Sequence, residues 1–179
     1  METPNVLGGN GPLIWSQPEA LMRKFELKRD EVPVGRLEFE TMCGSRASAE
    51  VGSQSWTFKR EGFLSPRVTV RAPNSEENLA VFQPRWSGAG ILEFASGRRV
   101  EWRQTSFWGG VWAFLAEDGR TLIRFGLRNG LLKTSAVVEI DPADAGAPEV
   151  FLLAALGWYL MVLTAEDAVA VSSLVATVC

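Results

Sequence analysis

From about residue 13 to about residue 140 apolar side chains recur at every second position, the period of strands with one buried face. Phe25 and Leu27 alternate with Lys24, Glu26 and Lys28; Leu37 and Phe39 with Arg36, Glu38 and Glu40; Trp56 and Phe58 with Ser55, Thr57 and Lys59. Val68 and Val70 oppose Arg67, Thr69 and Arg71 in the same way, and Val100 and Trp102 oppose Arg99, Glu101 and Arg103. Ser96-Gly97, Asp118-Gly119 and Asn129-Gly130 supply the positive φ angles of tight hairpins, so consecutive strands are expected to be antiparallel neighbours. The pattern predicts about twelve strands, over 13–15, 23–28, 35–41, 47–50, 55–60, 67–72, 78–82, 90–94, 98–103, 111–115, 121–125 and 134–140.

The period then changes. After the linker-like stretch 141–148, Val150 to Leu163 (VFLLAALGWYLMVL) carries no charge, and the pattern predicts a helix over about 149–164 that is apolar on every side. Spanning hydrocarbon takes about 20 apolar residues, whereas runs of 10–14 belong to core helices. All 18 Lys and Arg residues lie between Arg23 and Lys133, leaving only Glu149, Glu166 and Asp167 as charges flanking the helix, the opposite of the cation bias of a membrane anchor. No transmembrane segment is expected.

A helix with its side chains is about 10–12 Å across, and a barrel of about 8 strands is filled by its own side chains, so a barrel that encloses a helix needs roughly 11 or 12. The strand count meets this requirement, and seven Trp and ten Phe supply bulky inward residues. The expected fold class is mainly β (α+β): a closed antiparallel β-barrel of about twelve strands around a central hydrophobic C-terminal α-helix. The alternative is a β-sandwich with one packed helix. Gly157 in mid-helix costs about 1 kcal/mol relative to alanine and marks a place where a bulky barrel residue, such as a tryptophan, presses on the helix. Residues 1–12, with Pro4, Gly8, Gly9, Gly11 and Pro12, read as a flexible lead-in, and 13–179 as a single domain.

Composition narrows the functional classes. A formal charge of −3 argues against general nucleic-acid binding, which needs a basic excess. Cys43 and Cys179 form no disulfide framework or metal spacing, and the N-terminal segment lacks the basic start and apolar core of a signal peptide; a cytoplasmic protein is expected, with a place at the membrane periphery.

The strand-rich body, with the run Trp86-Ser-Gly-Ala-Gly-Ile-Leu-Glu-Phe94, followed by the apolar helix Leu-Leu-Ala-Ala-Leu-Gly-Trp-Tyr-Leu (152–160), resembles the tubby C-terminal-like superfamily, which takes in tubby proteins, phospholipid scramblases and LURP-one-related proteins with bacterial relatives. The resemblance covers about Phe25 to Leu163 and implies a twelve-stranded barrel closed around its C-terminal helix. In the tubby branch it implies phosphoinositide or membrane-surface binding through a Lys and Arg pair; Lys28-Arg29 and Lys59-Arg60 are the Lys-Arg steps in this chain. The acidic calcium-binding segment and the Cys-rich palmitoylation segment of scramblases have no counterpart.

Catalytic chemistry is constrained by the absence of histidine, which removes Ser-His-Asp and Cys-His catalysis and His-based zinc sites. No G-x-S-x-G, S-x-x-K, P-loop or G-x-G-x-x-G motif occurs, and Gly88-Ala89-Gly90 and Gly109-Gly110 read as turns or close strand approaches. Glu38 and Glu40, about 7 Å apart on one strand face, have the spacing of an inverting glycosidase pair, but they also alternate with core residues as on any solvated strand. Cys43 reads as a small turn or core residue, and Trp108 and Trp112 as core before interfacial anchors. No enzyme, cofactor or metal is expected. The remaining chemistry is cationic: Lys24 and Lys28 share one strand face, Arg67 and Arg71 another, and with Arg29, Lys59 and Arg60 they are the candidate lipid- or anion-binding residues, each cation near an acidic membrane adding about 1 kcal/mol. The expected partner is an acidic phospholipid headgroup or another anionic ligand; the alternative is a protein-interaction domain with no small ligand.

Overall fold

The computed structural model describes residues 7, 9, 11–19, 22–85, 87–106, 110–129 and 134–177, with residues 129 and 171–177 described by their backbone. The alternating segments form twelve strands: β1 (Leu13–Ser16), β2 (Lys24–Arg29), β3 (Val32–Phe39), β4 (Ala47–Val51), β5 (Gln54–Glu61), β6 (Arg67–Arg71), β7 (Asn78–Pro84), β8 (Gly90–Phe94), β9 (Arg99–Gln104), β10 (Val111–Leu115), β11 (Thr121–Asn129) and β12 (Thr134–Ile140). Each pairs antiparallel with its sequence neighbour, and β1 closes the ring on β12 with Leu13 opposite Val138 and Ser16 opposite Ser135. The result is a closed barrel, which leaves no edge strand open to aggregation. The sandwich alternative is excluded.

Gly97 and Gly119 take the positive φ angles expected of their turns, 85° and 83°, whereas Gly130 lies outside the described residues, as do Trp86, Trp108 and Gly109. The β2–β3 turn is built differently. Asp30 and Glu31 both adopt positive φ, 47° and 69°, without a glycine, so β3 begins at Val32, three residues before the predicted start at 35. Of the predicted lead-in, Leu7 is buried and the carbonyls of Leu7, Gly9 and Gly11 accept hydrogen bonds from Arg29.

Inside the barrel runs α1 (Pro148–Thr177). Every residue from Val150 to Leu163 is buried except Val162, which is half-buried, and this is the physical content of the unbroken apolar sequence. The helix is long and apolar enough to cross a membrane, but 78% of its apolar window lies within the protein. Aromatic residues from the β1–β5 arc of the ring hold it: Trp15 and Phe25 against Trp158, and Phe39 and Phe58 against Tyr159. Two hydrogen bonds fix its depth, a buried one from Trp15 Nε1 to the Ala154 carbonyl (3.0 Å) and a part-buried one from the Tyr159 hydroxyl to the Ser45 carbonyl (2.6 Å). The residue that presses on Gly157 is a phenylalanine, Phe125 of β11. Beyond Thr164 the helix leaves the barrel and continues to Thr177, past the predicted end at 164, because no Gly or Pro interrupts an alanine-rich run.

Candidate functional site

The helix gives the barrel two unlike ends. At the entry end, where α1 begins, Glu149 is paired with Arg98 of the β8–β9 turn. At the exit end two ion pairs grip α1 as it emerges. Arg23 donates from Nε and a terminal nitrogen to Glu166 (2.9 and 2.7 Å), and Arg60 meets Asp167 at 2.6 Å. Each is a carboxylate one turn beyond the last buried residue, Leu163.

The seven cations expected from the sequence are distributed over several places rather than gathered in one site. Lys24 faces Glu38 directly across the β2–β3 register at 2.7 Å, and that carboxylate holds its ammonium above its ordinary pKa. Lys28 is paired with Glu26 at 3.2 Å, and Arg29 is turned to the carbonyls of the lead-in. Strands β3 and β4 separate these three from β5. Lys59, Arg67 and Arg71 converge on Glu61, at 3.4, 3.9 and 3.8 Å, over the outer face of β5 and β6, where Thr69 is only 1% exposed beneath them. Arg71 also reaches Glu76 and Asn78, each at 2.8 Å. Beside this cluster lies a polar groove of about 590 Å³ with Arg46, Lys59, Arg71, Thr57 and Ser75 on its walls. Glu40 and Glu76 line it too and already engage Arg46 and Arg71, so most of its positive charge is spent within the protein.

Glu38 and Glu40, the carboxylate pair noted in the sequence, are each matched to a base, Lys24 and Arg46, on an exposed face. Among the described residues no group of three or more acidic or thiol side chains is placed to hold a metal ion. Cys43 is exposed in the β3–β4 turn, and Trp112 stacks on Trp102 at 5.4 Å and packs against the core.

The exit end carries what the sequence reading passed over. The β5–β6 turn, Gly62-Phe63-Leu64-Ser65-Pro66, presents two adjacent apolar side chains to solvent: Phe63 is 98% and Leu64 92% exposed. The neighbouring β3–β4 turn exposes Met42. Beside Leu64 lies a hollow of about 700 Å³ lined by Arg67, Arg85 and Glu61, the last of which meets Arg67 at 3.9 Å. The signal was available: a Gly and a Pro bracketing two large apolar residues that belong to neither alternating strand.

Charge also divides between the ends. Among the described residues, the strand-connecting segments at the entry end hold eight carboxylates, as Asp30-Glu31, Glu76-Glu77, Glu117-Asp118, Asp141 and Asp144, against Arg98 and Arg120. At the exit end they hold Glu19 and Glu40 against Arg23, Arg46 and Arg85. The molecule is therefore polarised along the helix axis, strongly acidic where α1 enters and, with Glu166 and Asp167 of α1 included, near neutral with apolar tips where it leaves. The chain matches no family model, no curated protein and no solved structure.

Proposed function

We propose that this protein is a non-enzymatic barrel domain that docks its exit end on an acidic phospholipid surface from the cytoplasm. The observation that carries this reading is the Phe63-Leu64 tip, almost wholly exposed beside Arg67 and Arg85. Two large apolar residues at the end of a tight turn gain about 1.5–3 kcal/mol each when fully removed from water, and a cation near an acidic surface adds roughly 1 kcal/mol. The eight carboxylates of the opposite end orient the molecule by repulsion. A tubby-like reading of the fold agrees with such a role, although the cations that would do the work, Arg67 and Arg85, belong to neither Lys-Arg step. A protein-interaction domain would also use an exposed apolar tip, but that reading assigns no role to the polarity of the barrel.

Flotation of the full chain with phosphatidylcholine vesicles, with and without phosphatidylserine or a phosphoinositide, tests the proposal. At low salt the protein is expected to float with the acidic vesicles only, to float less as salt rises and screening tightens, and to lose at least tenfold of its partitioning in the Phe63→Ser, Leu64→Ser double variant. Equal partitioning onto neutral and acidic vesicles, or no effect of the double variant, overturns it.

A further inference from the structure

Between α1 and the inner wall of β6 and β7, at the exit end, lies a third cavity of about 290 Å³. Val68 and Phe82 on the barrel side and Leu160 and Leu163 on the helix side form its interior, and each of the four is at most 6% exposed. Pro66 and Pro84 stand at its mouth and bring no backbone N–H. The interior is thus apolar, while the rim is charged. Arg60 and Asp167 lie on that rim and neutralise each other at 2.6 Å. Arg85 lies there too, and among the described residues it has no ion pair.

An apolar pocket ending in one uncompensated guanidinium is complementary to a molecule with an alkyl tail and an anionic head. We propose that this cavity binds a single-chain anionic amphiphile, the tail between Leu160, Leu163, Val68 and Phe82 and the head on Arg85. At about 290 Å³ the cavity lies just below the range of about 300–1,000 Å³ found for ligand pockets, which suits one short chain better than a two-chain lipid. A cationic head is disfavoured because it would meet Arg85. A bare anion gains nothing from the apolar interior, so the tail supplies most of the affinity, about fourfold for each methylene buried. The site goes beyond membrane docking, since its walls are not the Phe63-Leu64 tip and it takes its ligand from solution.

Calorimetric titration of the full chain with hexyl, octyl and decyl phosphate below their micelle concentrations tests this, with inorganic phosphate and decyltrimethylammonium as the head-only and opposite-charge probes. Saturable one-to-one binding is expected for the alkyl phosphates, tightening about fifteenfold for two added methylenes until the cavity is full, and none is expected for the other two. Thr164→Phe fills the mouth from an exposed position on α1 and should weaken decyl phosphate at least tenfold; Arg85→Glu should do so by removing the head contact. Absence of saturable binding, affinity independent of tail length, tight binding of the cationic probe, or retention of wild-type affinity in both variants overturns the site. Flotation and titration of the wild-type chain are separate readouts: intact flotation without alkyl phosphate binding sinks this inference alone, and the reverse result sinks the docking proposal alone.

Discussion

The ring of Phe125 occupies the space that a Cβ at Gly157 would need: built on the glycine backbone, that atom would lie 2.4 Å from Phe125 Cζ and 2.5 Å from Cε2. The ring has no room to retreat, because Trp102 packs edge-on against it at 5.6 Å and Trp102 is itself stacked on Trp112 and tilted onto Phe114. On helix propensity alone Gly157→Ala should stabilise by about 1 kcal/mol. Overpacking of a fixed aromatic layer outweighs that, and a net loss of about 2 kcal/mol is expected in urea unfolding. Adding Phe125→Leu should return part of the loss, a coupling that a double-mutant cycle measures directly.

Arg23 ties the emerging helix to two other elements at once. Besides its two bonds to Glu166, it donates to the carbonyls of Thr41 (2.7 Å) and Gly44 (2.6 Å), and its guanidinium lies 3.8 Å over the Phe39 ring. The side chain is 11% exposed while Glu166 is 44% exposed, so the carbonyl and ring contacts matter more than the exposed half of the ion pair. Arg23→Ala is expected to cost about 2 kcal/mol in urea unfolding, and Glu166→Gln less than about 1 kcal/mol. Equal losses for the two variants would show that the pair with Glu166 is the dominant contact.

Much of this architecture was legible because it depends on patterns that a single chain displays. The period of two placed every strand to within a few residues, and the diameter of a helix made a closed twelve-stranded ring the natural partner of an all-apolar segment. The misses have local causes. The Asp30-Glu31 turn uses positive φ at residues that do not advertise it, and the helix runs on beyond Thr164, past the end of the apolar run, because no Gly or Pro stops it. Phenylalanine rather than tryptophan meets Gly157, a choice set by the register of β11 that composition does not reveal. The charged sites were the least legible. Lys24 meets Glu38 only because β2 and β3 pair in one register, and three cations share Glu61 only because β6 follows β5, so a count of outward bases overstates the free charge. Arg85, which lies in a turn rather than an alternating strand, stood outside that count.

Tyr159 makes stability depend on alkaline pH. It is the one tyrosine in the chain, fully buried, stacked on Phe39 at 5.5 Å, with its hydroxyl donating to Ser45. Burial pushes its phenol well above the ordinary value of 10.0, with the nearby charges of Arg60 and Arg23 only partly opposing the shift. The unfolded chain therefore loses this proton near pH 10 while the folded chain keeps it, so the contribution is complete below that pH and falls by about 1.4 kcal/mol per unit above it. Lys24, held up by Glu38, acts in the same direction, and Tyr159→Phe leaves that part in place. The expected result in urea melts across about pH 9 to about pH 11 is a shallower decline for Tyr159→Phe, and in the wild type phenolate absorbance that appears only with unfolding. Parallel declines for the two proteins would mean that the phenol ionises in the folded state.

Trp15 and Trp158 lie face to face, ring centroids 6.0 Å apart and planes within 4°, yet their indole nitrogens fare differently. Trp15 Nε1 donates to the Ala154 carbonyl, whereas Trp158 Nε1 is buried with no acceptor among the described residues. Replacing either by phenylalanine removes a similar volume from the same aromatic layer, so the packing losses nearly cancel in a comparison. The polar consequences do not cancel. Trp15→Phe gives up a buried hydrogen bond, while Trp158→Phe removes a donor whose unsatisfied burial costs about 1–3 kcal/mol. Trp15→Phe should therefore be the more destabilising of the two by about 2 kcal/mol in urea unfolding. An equal or reversed order would show that the Trp158 indole has an acceptor in solution, and with it that the aromatic layer around the middle of α1 is packed otherwise than described.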